Sequence, residues 1–163
     1  MTVTYVPANA AKIVGVAKTK LYIGSPAGST PASVTTWTEL GAVLSLPVVG
    51  PKDNVISVST IGSSLVLKLK GVTDAGGGSL SLSEDFSDAG QAALQAAYAD
   101  KTNDYPFRYI LPNPATSTGT GTMIDVMGKV TGFQSDFGSG PDNPVKASVD
   151  LAYTTLATYT TAT

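Results

Sequence analysis

Histidine and cysteine are both absent from the 163 residues of this chain. Without cysteine the protein can form neither disulfides nor thiolate metal sites. Without either residue it also lacks the common nucleophile–base pairs and nearly all transition-metal sites. Only carboxylates, hydroxyls, lysine and arginine remain for chemistry, and they form no persuasive constellation, so we expect neither a cofactor nor enzyme activity.

Charge is scarce as well, since Asp, Glu, Lys and Arg make up 13% of the sequence and the net charge is −2. A weakly charged surface tends to associate, because little repulsion keeps copies apart. The densest basic pair, Lys68 and Lys70, is far smaller than the basic surface that nucleic-acid binding requires. We expect this pair to lie on a solvated strand edge or to face a carboxylate of a partner.

Long apolar runs are also missing. The first twenty residues lack both an early positive charge and a long apolar segment, and no later segment approaches the length of a membrane span. We therefore expect a soluble protein that is made in the cytoplasm without a signal peptide and has no membrane partner.

Short strand patterns separated by turn residues fill most of the chain. Strands are predicted at residues 19–24, 36–46, 63–71, 76–86, 105–112, 123–133 and 145–153. In the second of these, Trp37 is a candidate core anchor and Gly41 a candidate bulge or bend. The third and fourth flank a turn built from Asp74 and three glycines, which predicts that they pair as a hairpin. The pattern favours a mainly β domain, an antiparallel β-sandwich or barrel, over residues 19–153.

Residues 88–100 predict one flanking α-helix. Asp88 is a good N-cap and Gln91, three residues later, completes a capping box. Lys101 suits the negative C-terminal end of the helix dipole. A helix of this length is marginal alone, so we expect a narrow stripe to pack on the sheet, formed by Gly90, Leu94, Ala97 and Tyr98. The alanine surface left over could face a neighbouring copy.

Glu84, Asp85 and Asp88 cluster where the predicted strand meets the helix. Such carboxylates are compatible with a calcium site or a general acid. Capping is the simpler explanation, because negative charge at a helix N-terminus is favourable in any case. We therefore favour a structural role.

Three segments have no obvious partner inside the domain. Residues 1–18 predict an extended arm, and residues 154–163 a polar tail that can be mobile. Residues 47–60 predict a long apolar loop or hairpin, because Pro47 and Pro51 exclude a regular central strand. Such a segment either leaves its domain to cover a partner or folds back over its own core.

The order of these features resembles a known family. The first strand contains "LYIG", and a long apolar loop follows the second strand. Then come the helix "GQAALQAAYAD", the aromatic strand "PFRYILPN", and the strands "GKVTGF" and "VKASVDL". The pattern is similar to the tail tube (major tail) protein of long, non-contractile-tailed bacteriophages, over about residues 19–153. The loop "LPNPATSTGTGT" departs from it, because a tighter turn is common there.

The resemblance implies a structural virion protein. Its copies would form hexameric rings that stack into the hollow phage tail tube, assembled in the host cytoplasm. The tube would conduct the genome and the tape measure protein during ejection. Implied partners are further copies, the tape measure, tail terminator and tail-tip proteins, and double-stranded DNA that passes without specific binding. By position, the arm (residues 1–18) and the loop (residues 47–60) would make the contacts between subunits and rings, and the C-terminal tail is a further candidate. The candidate contact residues are Lys12, Ile13, Val14, Val48, Val49, Val55, Ile56 and Val58.

A second hypothesis is a β-sandwich binding or adhesin module on a virion or cell surface. It is motivated by candidate exposed aromatic residues such as Tyr5, Tyr105 and Tyr159. Such a module needs several aromatic side chains on one concave face, and here they are spread along the chain.

Overall fold

The structure, a computed structural model, describes residues 15–26, 30–62, 64–138 and 142–163. Within these ranges the chain is mainly β, with a single α-helix and a short 3₁₀ turn at Pro31–Ser33. The elements are β1 Lys20–Gly24, β2 Trp37–Glu39, β3 Val43–Ser45, β4 Lys52–Val58, β5 Leu67–Asp74, β6 Gly77–Ser83, α1 Ala89–Ala99, β7 Tyr105–Ile110, β8 Met123–Asp136, β9 Lys146–Tyr153 and β10 Thr158–Thr160. The predicted fold class, antiparallel β-structure with one flanking helix, is confirmed.

Eight of the strands form one antiparallel sheet, in the order β2–β1–β7–β8–β9–β6–β3, with β10 also paired to β8. Its two end strands, β2 and β3, are joined by only residues 40–42. The sheet must therefore curl until its ends meet, so that one face encloses the core. The alternating pattern fits this closure: along β6, Leu80 and Leu82 are buried and the serines that alternate with them are not.

The sheet bends along its longest strand, β8. Its first part, Met123 to Gly128, pairs with β7, and its second part, Gly128 to Asp136, pairs with β9. The register shifts between Val130 and Gly132, as at a β-bulge, which bends a strand and increases its twist. One long strand thus pairs with β7 along its first part and with β9 along its second part.

The C-terminal segment, predicted as a polar tail, contains the short strand β10. Strand β10 pairs with Met123–Asp125 of β8, and the backbone N–H of Thr163 donates to the carbonyl of Thr120 at 2.9 Å. The physical reason is that β9 ends before it reaches this part of β8. Without β10 this stretch would present unpaired backbone groups.

Trp37 is half-buried and does not anchor the core, contrary to the prediction. Strand β2 lies at the end of the sheet, and the guanidinium of Arg108 stacks over the indole ring at 4.2 Å. Arg108 is itself held by two hydrogen bonds to the Asp125 carboxylate, of 2.7 and 2.8 Å. The core is instead filled by aliphatic and aromatic side chains of the sheet's inner face and of α1, among them Leu21, Leu80, Leu94, Phe107, Tyr109, Val126, Val149 and Tyr153.

The predicted helix is confirmed, and its N-cap is as expected, since Asp88 Oδ1 accepts from the Gln91 N–H at 2.8 Å. The second half of the predicted capping box is wrong. The Gln91 side chain is buried and reaches the end of β6: Oε1 accepts from the Asp85 N–H at 3.0 Å and Nε2 donates to the Ser83 carbonyl at 3.0 Å. Gln91 therefore ties the helix to the sheet.

The buried side of α1 consists of Gly90, Gln91, Leu94 and Ala97. Tyr98, which we assigned to this stripe, is exposed, and Lys101 packs against it: its Nζ lies 4.2 Å from the tyrosine ring and donates to the Tyr98 carbonyl at 3.0 Å. This bond satisfies one of the last helix carbonyls, as the position of Lys101 predicted.

The helix packs directly on the short connection that closes the sheet. A Cβ at Gly90 would meet the Glu39 carbonyl and lie 2.8 Å from Leu40 Cα. These are backbone atoms that cannot swing away, so only glycine allows the helix to come this close. Among the described residues no helix has the length and apolar character needed to cross a membrane.

The predicted hairpin between residues 63–71 and 76–86 is wrong. Strand β5 pairs with β4 in a separate two-stranded sheet, whereas β6 pairs with β9 and β3. Two of the presumed turn glycines, Gly77 and Gly78, already belong to β6 and pair with β9. Only residues 75–76 link β5 to β6, and Gly76 has a positive φ of +94° that redirects the chain.

We expect Gly90→Ala to destabilise the domain by about 1–3 kcal/mol, because overpacking outweighs the gain of helix propensity. The measurement is chemical unfolding followed by circular dichroism. Gly62→Ala is the control, since nothing lies within 4 Å of a Cβ built there. Equal stability of the two variants would show that α1 does not pack tightly against the Glu39–Leu40 backbone.

Candidate assembly surface

Strands β4 and β5 form a two-stranded hairpin, residues 51–75, with one apolar side. Directly paired residues of antiparallel strands point to the same side, and sides alternate along each strand. Ile56 pairs with Leu69, and Val58 pairs with Leu67. These four side chains therefore share one side of the hairpin, which we call the apolar face.

The opposite side of the hairpin is polar and internally paired. Thr73 Oγ1 donates to Asp53 Oδ1 at 2.7 Å, and Lys70 Nζ lies 3.0 Å from Asp53 Oδ2. The hydrogen bond from Thr73 and then that from Lys70 lower the pKa of the Asp53 carboxyl. Lys68 Nζ donates to Ser57 Oγ at 2.6 Å. Lys68 and Lys70 thus lie on a solvated strand, and Lys70 faces a carboxylate of its own chain.

The apolar face is exposed in the part of the chain that the structure describes. Leu67 is 58% exposed, and the other three residues of the face are also among the exposed apolar side chains. Within the described ranges, β4 and β5 hydrogen-bond as strands only to each other. A lone two-stranded hairpin is marginally stable in water, and a contiguous exposed apolar surface marks an interaction site.

The hairpin emerges beside the start of β6. A Cβ at Gly76 would lie 2.5 Å from the Gly50 carbonyl, so the two chain segments touch at the base of the hairpin. Gly50 also has a positive φ, of +143°. Glycines at this crossing let the two strands leave the domain side by side.

Residues 51–60 of the loop predicted at 47–60 therefore form the first half of the hairpin, and residues 47–50 precede it. Of its candidate contact residues, Ile56 and Val58 lie on the apolar face, whereas Val55 pairs with Lys70 on the polar side. Val48 is 79% exposed, and Val49 is half-buried against the core. The alternative left open above was that the loop folds back over the core. Of the five candidate residues in the loop, only Val49 does so.

Lys12, Ile13 and Val14 lie outside the described residues. Sequence reasoning did not identify Leu67 and Leu69 as candidate contact residues, although the sequence shows that they alternate with Lys68 and Lys70. The alternation predicts a two-faced strand, but it does not say which strand is its partner.

An apolar groove of about 480 Å³ lies close to the base of the hairpin. It carries no acidic or basic side chain, and its lining includes Val16, Leu44, Leu46, Val49, Leu111 and Ile124. Such a surface suits an apolar protein segment better than a charged metabolite.

The acidic residues at the start of α1 have structural partners. Asp85 Oδ1 accepts from the hydroxyl and the backbone N–H of Ser87, at 2.6 and 2.9 Å, and these bonds, the hydroxyl's first, lower the pKa of the Asp85 carboxyl. Glu84 Oε1 accepts from Ser135 Oγ at 3.0 Å. In the part of the chain that the structure describes, no group of three or more His, Cys, Asp or Glu side chains is placed to hold a metal ion.

The aromatic residues that motivated a binding module do not converge. Tyr105 is buried, and its hydroxyl donates to Asp100 at 3.1 Å. Tyr159 is exposed on β10, and Tyr5 lies outside the described residues. The premise of exposed aromatics is therefore wrong for Tyr105.

No family model matches the sequence, and no curated protein is similar to it in sequence. The fold, however, has counterparts among solved structures. A chain of the anti-feeding prophage (AFP) baseplate, symmetrised 6-fold, superimposes with a TM-score of 0.63 at 10% identity, covering 99% of this chain and 98% of that one. A chain of the SPP1 tail tube gives a TM-score of 0.61 at 14% identity, covering 88% and 77%.

A third counterpart comes from the sheath–tube complex of PVC, an extracellular contractile injection system, in its extended state. Its TM-score is 0.62 at 10% identity, with 98% of this chain and 100% of that chain covered. The chain therefore has the fold found in tail tube proteins. This confirms the fold that the sequence resemblance implied.

Leu67→Ala should change the free energy of unfolding of the isolated chain by no more than about 0.5 kcal/mol, because an exposed side chain has little packing to lose. Leu82→Ala is the matched substitution in the core, where the leucine is fully buried, and it should cost about 2–5 kcal/mol. Urea unfolding of dilute protein measures both. A large loss at Leu67 would show that the apolar face is covered within its own chain.

Proposed function

We propose that this protein is a structural subunit that associates with copies of itself into hexameric rings, and that the rings stack into a hollow phage tail tube. The observation that carries the proposal is the apolar face of the hairpin, which projects uncovered from a domain with the tail tube fold. The 6-fold symmetry of the AFP baseplate, which contains a chain of similar fold, supports the number six.

The energetics favour self-association through the hairpin. Full burial of one valine, leucine or isoleucine side chain is worth about 1.5–3 kcal/mol, and the apolar face has four such residues. Part of this gain offsets the lost freedom of the associating subunits. In a head-to-tail assembly every subunit both gives and receives the contact, so the gain is repeated along the whole tube.

The charge distribution fits a conduit for the genome. The net charge is −2, and the lysines are scattered. A basic wall would bind phosphates and hold the DNA, whereas a weakly acidic, hydroxyl-rich wall lets it pass. In this role the subunit is a non-enzymatic part of the virion, assembled in the host cytoplasm and needing no cofactor.

The same role implies further contacts. The tape measure protein and then double-stranded DNA would occupy the lumen, and tail terminator and tail-tip proteins would cap the two ends of the tube. Lys12, Ile13 and Val14 of the arm remain candidates for contacts between rings. They immediately precede the segment that reaches Val16 in the apolar groove.

The proposal is tested by imaging purified protein over rising concentrations with electron microscopy and light scattering. We expect rings and tubes with six subunits per ring. A particle that stays monomeric at every concentration would contradict the proposal.

A shortened hairpin tests the surface that carries the proposal. Asp53 and Thr73 are paired across the strands, so residues 54–72 can be replaced by Asn-Gly, which favours a two-residue hairpin turn. The variant should keep its thermal unfolding transition and form no tubes. Val55→Ser, on the polar side of the full-length hairpin, is the control and should still assemble. Tubes built by the shortened variant would remove the hairpin from the interface.

A further inference from the structure

Strand β3 has one unpaired edge. It lies at the end of the main sheet and, within the described ranges, hydrogen-bonds as a strand only to β6. The edge of such a strand carries backbone N–H and C=O groups that have no strand partner, and these groups can pair with an added extended segment. The free edge of β3 is therefore a place where a further strand can bind.

The apolar groove described above runs past this free edge. Leu44 and Leu46 line it, and both also line a smaller cavity of about 290 Å³ whose wall consists of residues 43–46 and 16–19. Consecutive residues of a strand point to opposite faces of its sheet. A cavity that is lined by four of them in a row thus lies against the edge of the strand and not over one face.

A turn at residues 16–19 brings the preceding chain to the groove. The backbone N–H of Thr19 donates to the Val16 carbonyl at 3.0 Å, and Lys18 has a positive φ of +68°. This is the hydrogen bond of a β-turn, which reverses the direction of the chain. Because the turn itself lines the smaller cavity, the chain before Gly15 joins the described part of the domain beside β3.

The Thr19 side chain supplies a second sign that the groove takes an occupant. Its hydroxyl oxygen is buried and has no hydrogen-bond partner among the described residues. Thr19 lines both the groove and the smaller cavity. A buried hydroxyl that stays unpaired destabilises a fold, and a backbone group of an added strand would give it a partner.

The arm, residues 1–14, fits the groove in chemistry and in length. It has one charged side chain, Lys12, and its residues closest to the turn are the apolar Ile13 and Val14. Fourteen extended residues span about 45 Å, whereas the three residues of β3 span about 10 Å. A tethered segment also has a millimolar effective concentration at its site, whereas a second copy competes only in proportion to its own concentration.

We propose that the arm of the same chain docks in the apolar groove as an added strand on the free edge of β3. Its backbone pairs with β3 and supplies the partner of the Thr19 hydroxyl, and one of Ile13 and Val14 fills the groove. Neighbouring residues of a strand point to opposite sides, so the other one stays available for a contact with another copy. This docking occurs within a single chain and does not depend on the proposed function.

Thiol labelling of dilute, monomeric protein tests the docking. The chain contains no cysteine, so Leu44→Cys and Leu156→Cys each introduce a unique thiol. Leu44 and Leu156 are similarly exposed, to 56% and 60%, and only Leu44 lies in the groove. We expect the thiol at position 44 to be labelled at least about tenfold more slowly than the thiol at position 156, each rate being divided by the rate in urea.

Variants of the arm identify what covers the groove. Ile13→Asp combined with Val14→Asp, in the Leu44→Cys protein, should raise the labelling rate to that of the Leu156→Cys protein, because a carboxylate is costly in an uncharged groove. Thr2→Asp combined with Thr4→Asp adds the same charge at the far end of the arm and should leave the labelling slow. The thermal unfolding transition of each variant, measured alongside, shows whether the domain remains folded.

Three results would overturn the inference. Equal labelling at positions 44 and 156 in monomeric protein would show that the groove is open. Slow labelling that persists in the Ile13→Asp and Val14→Asp variant would show that another segment covers it. Protection that appears only at concentrations where light scattering detects association would assign the groove to a second copy. None of these results bears on whether the protein assembles into tubes.

Discussion

A hairpin with one apolar side needs something to cover that side, and the described residues of this domain do not cover it. Its main sheet is curled until β2 and β3 meet, and α1 packs on the connection between them. The inner face is thereby used up by the domain's own core. The hairpin of β4 and β5 is left outside, with Ile56, Val58, Leu67 and Leu69 in water. The expected role as a subunit of an assembly follows from this imbalance between a closed core and an open hairpin.

The small helix serves the closure. Gly90 permits close packing on the Glu39–Leu40 backbone, Leu94 fills the core beneath it, and Gln91 binds the end of β6. The acids next to it cap the helix or bind neighbouring hydroxyls, although their number suggested a site at first.

Local sequence patterns were sufficient to predict those helices and strands that form regardless of which element they pack against. Asp88 and the alanines specify the helix, and alternation of Leu80 and Leu82 with serine specifies β6. The partner of β5 could not be predicted this way, because the alternation at Leu67 and Leu69 is compatible with any neighbouring strand. The positive φ of Gly76 turns the chain so that β5 pairs with β4 and not with β6. The strand formed by Thr158–Thr160 was missed for a similar reason: threonine-rich sequence becomes a strand where an unpaired edge is available. Candidate contact residues Ile56 and Val58 were found from composition.

Amide hydrogen exchange of the hairpin, compared between dilute chains and assembled protein, tests the central claim most directly. Backbone amides in a marginally stable element exchange through frequent local opening. Peptides covering 52–58 and 67–74 should exchange at least about tenfold more slowly after assembly, since covering the apolar face stabilises the hairpin. Peptides from β7 and β8 should change little. Equal exchange of the hairpin in both states would contradict the account, because its apolar face would then not be covered by another copy.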